Sequence, residues 1–205
     1  MQQGQRKLAA ILAADVVGYS RLMAVDESGT LAQLKRLRTE VIEPRIAQFH
    51  GRIVGSAGDS LLVEFASAVS AVQCAVETQE ELAEENANLP EDRCMAFRMG
   101  VNLGDVIPEG DTIHGDDVNI ASRLEKLAQP GTVCIGRNVY DQVKGKVAYT
   151  YADLGEQRFH NMLEPVRACR VRPSKPAADS LALRRLKTRC RCPTSRRSLS
   201  CSSKT

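Results

Sequence analysis

The sequence predicts an α+β fold, and three observations predict it. Strand-like and helix-like segments are intermixed without the regular βαβ repetition of a doubly wound sheet. Two apolar runs, GRIVGSA and SLLVEF, flank the pair Gly58-Asp59, as the turn of an antiparallel hairpin requires. Of the 205 residues 43% are hydrophobic, enough for an ordinary core.

Element by element, LAAILAADVV predicts a first strand over 8–17, apolar on both sides. Helical sequence follows over 26–49, where Leu22 just upstream and Val41, Ile42 and Ile46 within it belong to faces that pack or dimerise. After the hairpin comes a long helix over 67–87, then a strand over 96–106 flanked by Met95 and carrying Met99, both core or edge residues. The segment from Gly115 opens on Asp116-Asp117, a helix-entry signal, and places Val118, Ala121, Leu124 and Ala128 on one stripe. Strands over 132–136, 151–155 and 166–171 complete the set.

Two aspartates stand in unlikely places. An ionised carboxylate inside an apolar strand, as Asp15 is, costs several kcal/mol unless it is compensated, and a hard divalent cation is an economical partner. Asp59 lies in the hairpin turn, from which a carboxylate can meet one at the end of a neighbouring strand. Each alone is more often a solvated turn or a capping group. Asn119 and Arg123 are four apart and leave one helix face as a neutral amide and a permanent cation, which suits a triphosphate in reaction. The plainer alternative is a solvated face with Arg123 paired to Glu125 or Asp116.

AADVVGYSRLM, GRIVGSAGDSLLVEF, FRMGVNLGDVIPEGDTIHGDDVNIASRLEKLA and YADLGEQRFHNMLEPVRACRV, in that order, resemble the class III nucleotidyl cyclase catalytic domain, nearest to rhizobial-type adenylate cyclases. The resemblance runs from about Arg6 to Val171. It implies a ferredoxin-like α+β domain, active as a head-to-tail dimer with its sites at the interface. It implies that Asp15 and Asp59 of one subunit, with the carbonyl of Val16, hold two Mg²⁺ or Mn²⁺ ions. From the second subunit, Asn119 would orient the ribose, and Arg123 would stabilise the α-phosphate as pyrophosphate leaves. The implied function is conversion of ATP to 3′,5′-cyclic AMP and pyrophosphate in intracellular signalling, by a homodimer or a heterodimer. The alternative is a catalytically weak cyclase-homology domain that binds nucleotide or serves as a heterodimerising regulatory subunit.

Two positions depart from the family pattern. Adenylate cyclases carry an adenine-reading lysine four residues before Asp59, and here that residue is Gly55. The partner base-reading position falls on Thr112, whose hydroxyl can accept from the adenine amino group. The acidic and cysteine pair that selects guanine is absent, which makes guanylate cyclase the weaker reading. His160 replaces the lysine that contacts the terminal phosphates, and losing one charge-assisted contact slows a reaction about ten- to a hundredfold.

The catalytic domain is expected over 1–171 and a basic, disordered tail over 172–205. The first holds 18 Lys/Arg against 24 Asp/Glu, a net −6, and the second 10 against 1, a net +9. GC-rich back-translation of 190–201, read one base earlier, resembles the segment after the domain in longer rhizobial proteins, so the tail reads as a frameshift-derived end. The acidic body and the lack of stacking aromatics argue against nucleic acid as a partner.

Seven cysteines, Cys74, Cys94, Cys134, Cys169, Cys190, Cys192 and Cys201, show no zinc spacing and read as reduced cytoplasmic thiols. Asp15 interrupts what would otherwise resemble a signal peptide, and no apolar run approaches the roughly 20 residues of a membrane span. GSAGDS lacks the lysine of a P-loop. His50 and His114 are expected on the surface, with His114 close enough to Thr112 to border a base pocket.

Overall fold

The structure, a computed structural model, describes residues 6–90, 92–159, 162 and 164–172. His160 and the tail beyond Arg172 lie outside the described residues.

The chain runs β1 (Lys7–Val16), α1 (Tyr19–Val25), α2 (Glu27–Leu37), a π-helical turn (Arg38–Ile42), α3 (Glu43–Gln48), β2 (Arg52–Ala57), β3 (Ser60–Phe65) and α4 (Ala68–Asn86). It continues with β4 (Phe97–Glu109), β5 (Thr112–His114), α5 (Asp116–Leu127), β6 (Val133–Gly136), α6 (Arg137–Val143), β7 (Thr150–Gln157) and β8 (Val166–Arg172). Seven strands form one sheet in the order β2-β3-β1-β4-β6-β8-β7, and β5 pairs with the far end of β4. Among the described residues only the β4–β6 pairing is parallel. The expected α+β class is what the chain adopts.

β1 is apolar on both sides because both faces of the sheet are covered. Ala10, Leu12, Ala14 and Val16 face a core built with Leu34, Leu37, Ile46, Val72 and Val76 from the helices on that side. Ala9, Ile11 and Ala13 face the opposite way, toward Val54, Val106, Ile113 and Ala121 of α5. Asp15 continues this second series. Met95 and Met99 are buried.

α5 lies flush on β4 because the strand presents small residues beneath it. A Cβ on Gly100 would meet Glu125 N at 2.2 Å and Ala121 O at 2.4 Å, and one on Gly104 would meet the Asp117 carboxylate carbon at 1.9 Å. Between them the buried Asn102 amide donates to Asp117 Oδ1 at 2.9 Å, and Asp105 N donates to Asp117 Oδ2 at 3.0 Å. Asp116 and Asp117 thus sit in the first helical turn, where the dipole favours them, while Gly115 is the N-cap and no side chain caps the helix.

Four local features differ from expectation. The helical stretch 26–49 is divided by the π turn, in which Glu43 N bonds Arg38 O. Pro44 has no N–H for the carbonyl four residues back and its ring clashes there, so the widened turn relieves that conflict. α1 and α6, each seven residues, are too short to show a helical period. β4 runs on to Glu109 and turns back through Gly110 (φ 59°) into the three-residue β5. Among the described residues no helix is long and apolar enough to cross a membrane.

Candidate active site

The hairpin turn brings a carboxylate to the end of β1. Ala57 pairs with Ser60, leaving Gly58-Asp59 as the two-residue connection, and Gly58 takes φ 59° where a side chain would be strained. Asp59 and Asp15 are within hydrogen-bonding range of each other. Burial pushes the Asp59 carboxyl above the ordinary carboxylate range, and the hydrogen bond and negative charge of Asp15 push it further. The N–H groups of Asp59 itself and of Val16 act in the opposite direction. The Asp59 carboxyl thus lies beside both Asp15 and the main chain of Val16.

Asp15 has two further partners. Ser60 Oγ donates to its Oδ1 at 3.0 Å, and Arg98 Nη2 donates to its Oδ2 at 2.9 Å. Arg98 Nε lies 3.2 Å from Glu125 Oε1 of α5. That pair lacks the alignment of a hydrogen bond, and both atoms are buried with no other hydrogen-bond partner among the described residues. Glu125 is 5% exposed. Its burial raises its pKa to about 7, against the pull of Arg98 and Lys126 and with the help of Asp15 and Asp59.

Glu125 thus turns inward to Arg98, not outward to Arg123 as a solvated-face reading would have it. Sequence reasoning missed Arg98, Glu125 and Ser60 as neighbours of Asp15. The available signal was one opposite charge in each of two apolar strands, Asp15 in β1 and Arg98 in β4.

Asn119 is exposed and Arg123 half-buried, both on the side of α5 away from its buried Ala121–Leu124–Ala128 stripe. Among the described residues no hydrogen bond or ion pair joins Asn119, Arg123 or Thr112 to the carboxylate pair.

A cleft of about 320 Å³ opens between the β2–β3 hairpin and α5, lined by Gly55, Ser56, Leu62, Ser122, Glu125 and Lys126. Gly55 sits at a bulge of β2, and a Cβ there would meet only Leu62, at 3.4 Å or more. A larger cleft of about 410 Å³, lined by residues of α1 and α2 with Asp92 and Arg93, includes neither Asp15 nor Asp59. Thr112 Oγ1 donates to Glu109 O at 2.9 Å and lies 3.3 Å from His114 Nε2, so His114 does border Thr112.

The donor set fits a small hard cation. Two adjacent carboxylates, one with its pKa raised by burial and further by the other, are relieved by positive charge between them. No group of three or more His, Cys, Asp or Glu able to hold a metal occurs among the described residues. The remaining ligands must then be main-chain, water or phosphate oxygens, as Mg²⁺ prefers.

Residues 1–162 match the family described as Adenylate and Guanylate cyclase catalytic domain. A protein of Rhizobium meliloti (strain 1021) that carries the provisional name adenylate cyclase 3 is 46% identical over 162 residues, covering 79% of this chain and 28% of its own length. The chain spans under a third of the length of the curated relatives it matches. An adenylate/guanylate cyclase/hydrolase from Silicibacter pomeroyi superposes with a TM-score of 0.79 at 38% identity, covering 83% of this chain and 99% of that one. The adenylyl cyclase CyaB of P. aeruginosa shares the fold, with a TM-score of 0.72 at 22% identity, over 85% of this chain and 98% of its own.

Proposed function

Because the chain belongs to the adenylate and guanylate cyclase catalytic domain family, we propose that it is an adenylate cyclase, working as a homodimer with two shared sites. The adjacency of Asp15 and Asp59 carries this reading. The 3′-oxygen of ATP bonds the α-phosphorus, the bond from that phosphorus to pyrophosphate breaks, and the hydroxyl proton passes to solvent water.

Asp15, Asp59 and the main chain of Val16 would hold two Mg²⁺ or Mn²⁺ ions. When bound, such ions lower the pKa of the 3′-hydroxyl and neutralise charge on the phosphates. From the partner subunit, the Asn119 amide orients the ribose and the Arg123 guanidinium takes up the charge that grows on the α-phosphate. Thr112 commits its proton to Glu109 O, which leaves lone pairs on Oγ1. That favours the adenine amino group over a guanine carbonyl. Gly55 leaves the neighbouring cleft without a base-reading side chain, and His160 brings at most one weak contact to the terminal phosphates.

The test is cyclic AMP and cyclic GMP formation by the purified full chain with Mn²⁺ and ATP or GTP, beside an Asp59→Ala control. Cyclic AMP that is lost in the control supports the reading. Nucleotide binding without product favours a regulatory or heterodimerising domain, the alternative to which Gly55 points.

A further inference from the structure

Both oxygens of Asp15 are already engaged by protein donors, Oδ1 by Ser60 and Oδ2 by Arg98. A divalent cation that takes Oδ2 competes there with the Arg98 guanidinium, and its like charge repels that group. A displaced cation at a site this enclosed is costly unless another carboxylate receives it.

The structure holds one in place. Glu125 Oε1 lies 3.2 Å from Arg98 Nε, and neither atom has a hydrogen bond among the described residues. Rotation of the guanidinium from Asp15 toward Glu125 would satisfy both atoms at once. Glu125 is turned inward in the structure, with its backbone packed on Gly100 and its side chain 6% exposed. The charged groups around it are Arg98, Asp15, Asp59 and Lys126.

We propose that Glu125 is a positioning residue for Asp15, the carboxylate onto which Arg98 turns when a divalent cation takes Asp15 Oδ2. The proposal rests on the reading of Asp15 and Asp59 as metal ligands. It also ties the metal-holding end of β1 to α5, the helix that carries Asn119 and Arg123. In the proposed dimer these residues serve the other site, so loading one site shifts a charge against the helix of its neighbour.

The experiment is a Mn²⁺ titration of the full chain with a non-cyclisable ATP analogue, followed by the electron paramagnetic resonance of free Mn²⁺. Glu125→Gln strands Arg98 on Asp15 and should weaken Mn²⁺ binding about tenfold, as loss of an outer partner of a metal ligand does. Glu125→Asp should recover part of it. Arg98→Gln combined with Glu125→Gln removes both competitor and receiver, and should bind at least as tightly as the wild type. Removing both members of an enclosed ion pair spares the fold, and thermal melting of each variant checks this. Wild-type binding that is lost in Asp59→Ala but unchanged in Glu125→Gln overturns the proposal alone. A double variant as weak as Glu125→Gln also overturns it, because Glu125 would then act independently of Arg98. Wild-type binding unaltered by Asp59→Ala overturns the metal reading, and the proposal with it.

Discussion

Arg98 stands directly opposite Asp15 in the β1–β4 ladder, and its Nη2 donates to Asp15 Oδ2 at 2.9 Å. The two residues are 83 apart in sequence. The carboxylate that the apolar strand cannot solvate is thus compensated within the chain.

Arg98→Ala removes the cation from between two carboxylates. Asp15 and Glu125 then lose their shared partner, and the chain should be destabilised by about 2 kcal/mol, less than for a fully buried pair because Arg98 is partly solvated. Urea unfolding followed by circular dichroism measures the change.

Gly100→Ala should be worse. Its Cβ would collide with main-chain atoms of Glu125 and Ala121, which cannot move aside as a side-chain tip can. A loss of about 3 kcal/mol in denaturant midpoint analysis is expected, with cyclase activity falling as α5 is pushed off the sheet.

Gly55→Lys probes the opposite situation. The backbone there is not in the left-handed region, a Cβ would meet only Leu62 at 3.4 Å or more, and Gly55 lines the cleft. Stability should change by less than about 1 kcal/mol, while cyclic AMP formation rises about tenfold with one regained charge-assisted contact. Adding His160→Lys should raise it further, and initial rates with ATP and GTP measure both.

The sign of the pH dependence comes from Glu125. Its pKa is about 7 in the folded chain against an ordinary 4.5, so between these values the folded state binds more protons than the unfolded one. Stability therefore falls as pH rises through that window, and is not regained above it. Glu125→Gln should flatten this segment of the profile, removing a decline on the order of 3 kcal/mol. Thermal melting from pH 4 to 8 of both proteins tests it.

β1, the Gly58-Asp59 hairpin, α4 and the stripe of α5 were legible because each rests on a pattern within one stretch of chain. The pairing of Asp15 with Asp59 came from the family resemblance, because which strand end the hairpin turn meets depends on the long-range pairing of β1 with β3. α1, α6 and β5 were not legible, because seven or three residues contain too little of any period. Asp117 has the sequence signature of a helix-entry residue, and its larger part in holding α5 to Asn102 and Asp105 depends on tertiary contact. Arg98 and Glu125 were missed for the same reason, as strand register and helix docking, not local spacing, bring them together.

The most direct test of the account mixes two inactive variants. Asp59→Ala lacks one half of each proposed site and Arg123→Ala the other, so each alone should be inactive. An equimolar mixture, co-refolded or co-expressed, should form mixed dimers with one intact site, returning roughly a quarter of wild-type cyclic AMP formation. A mixture as inactive as its components, beside an active wild type, would contradict a site shared between the Asp15–Asp59 pair of one chain and α5 of another.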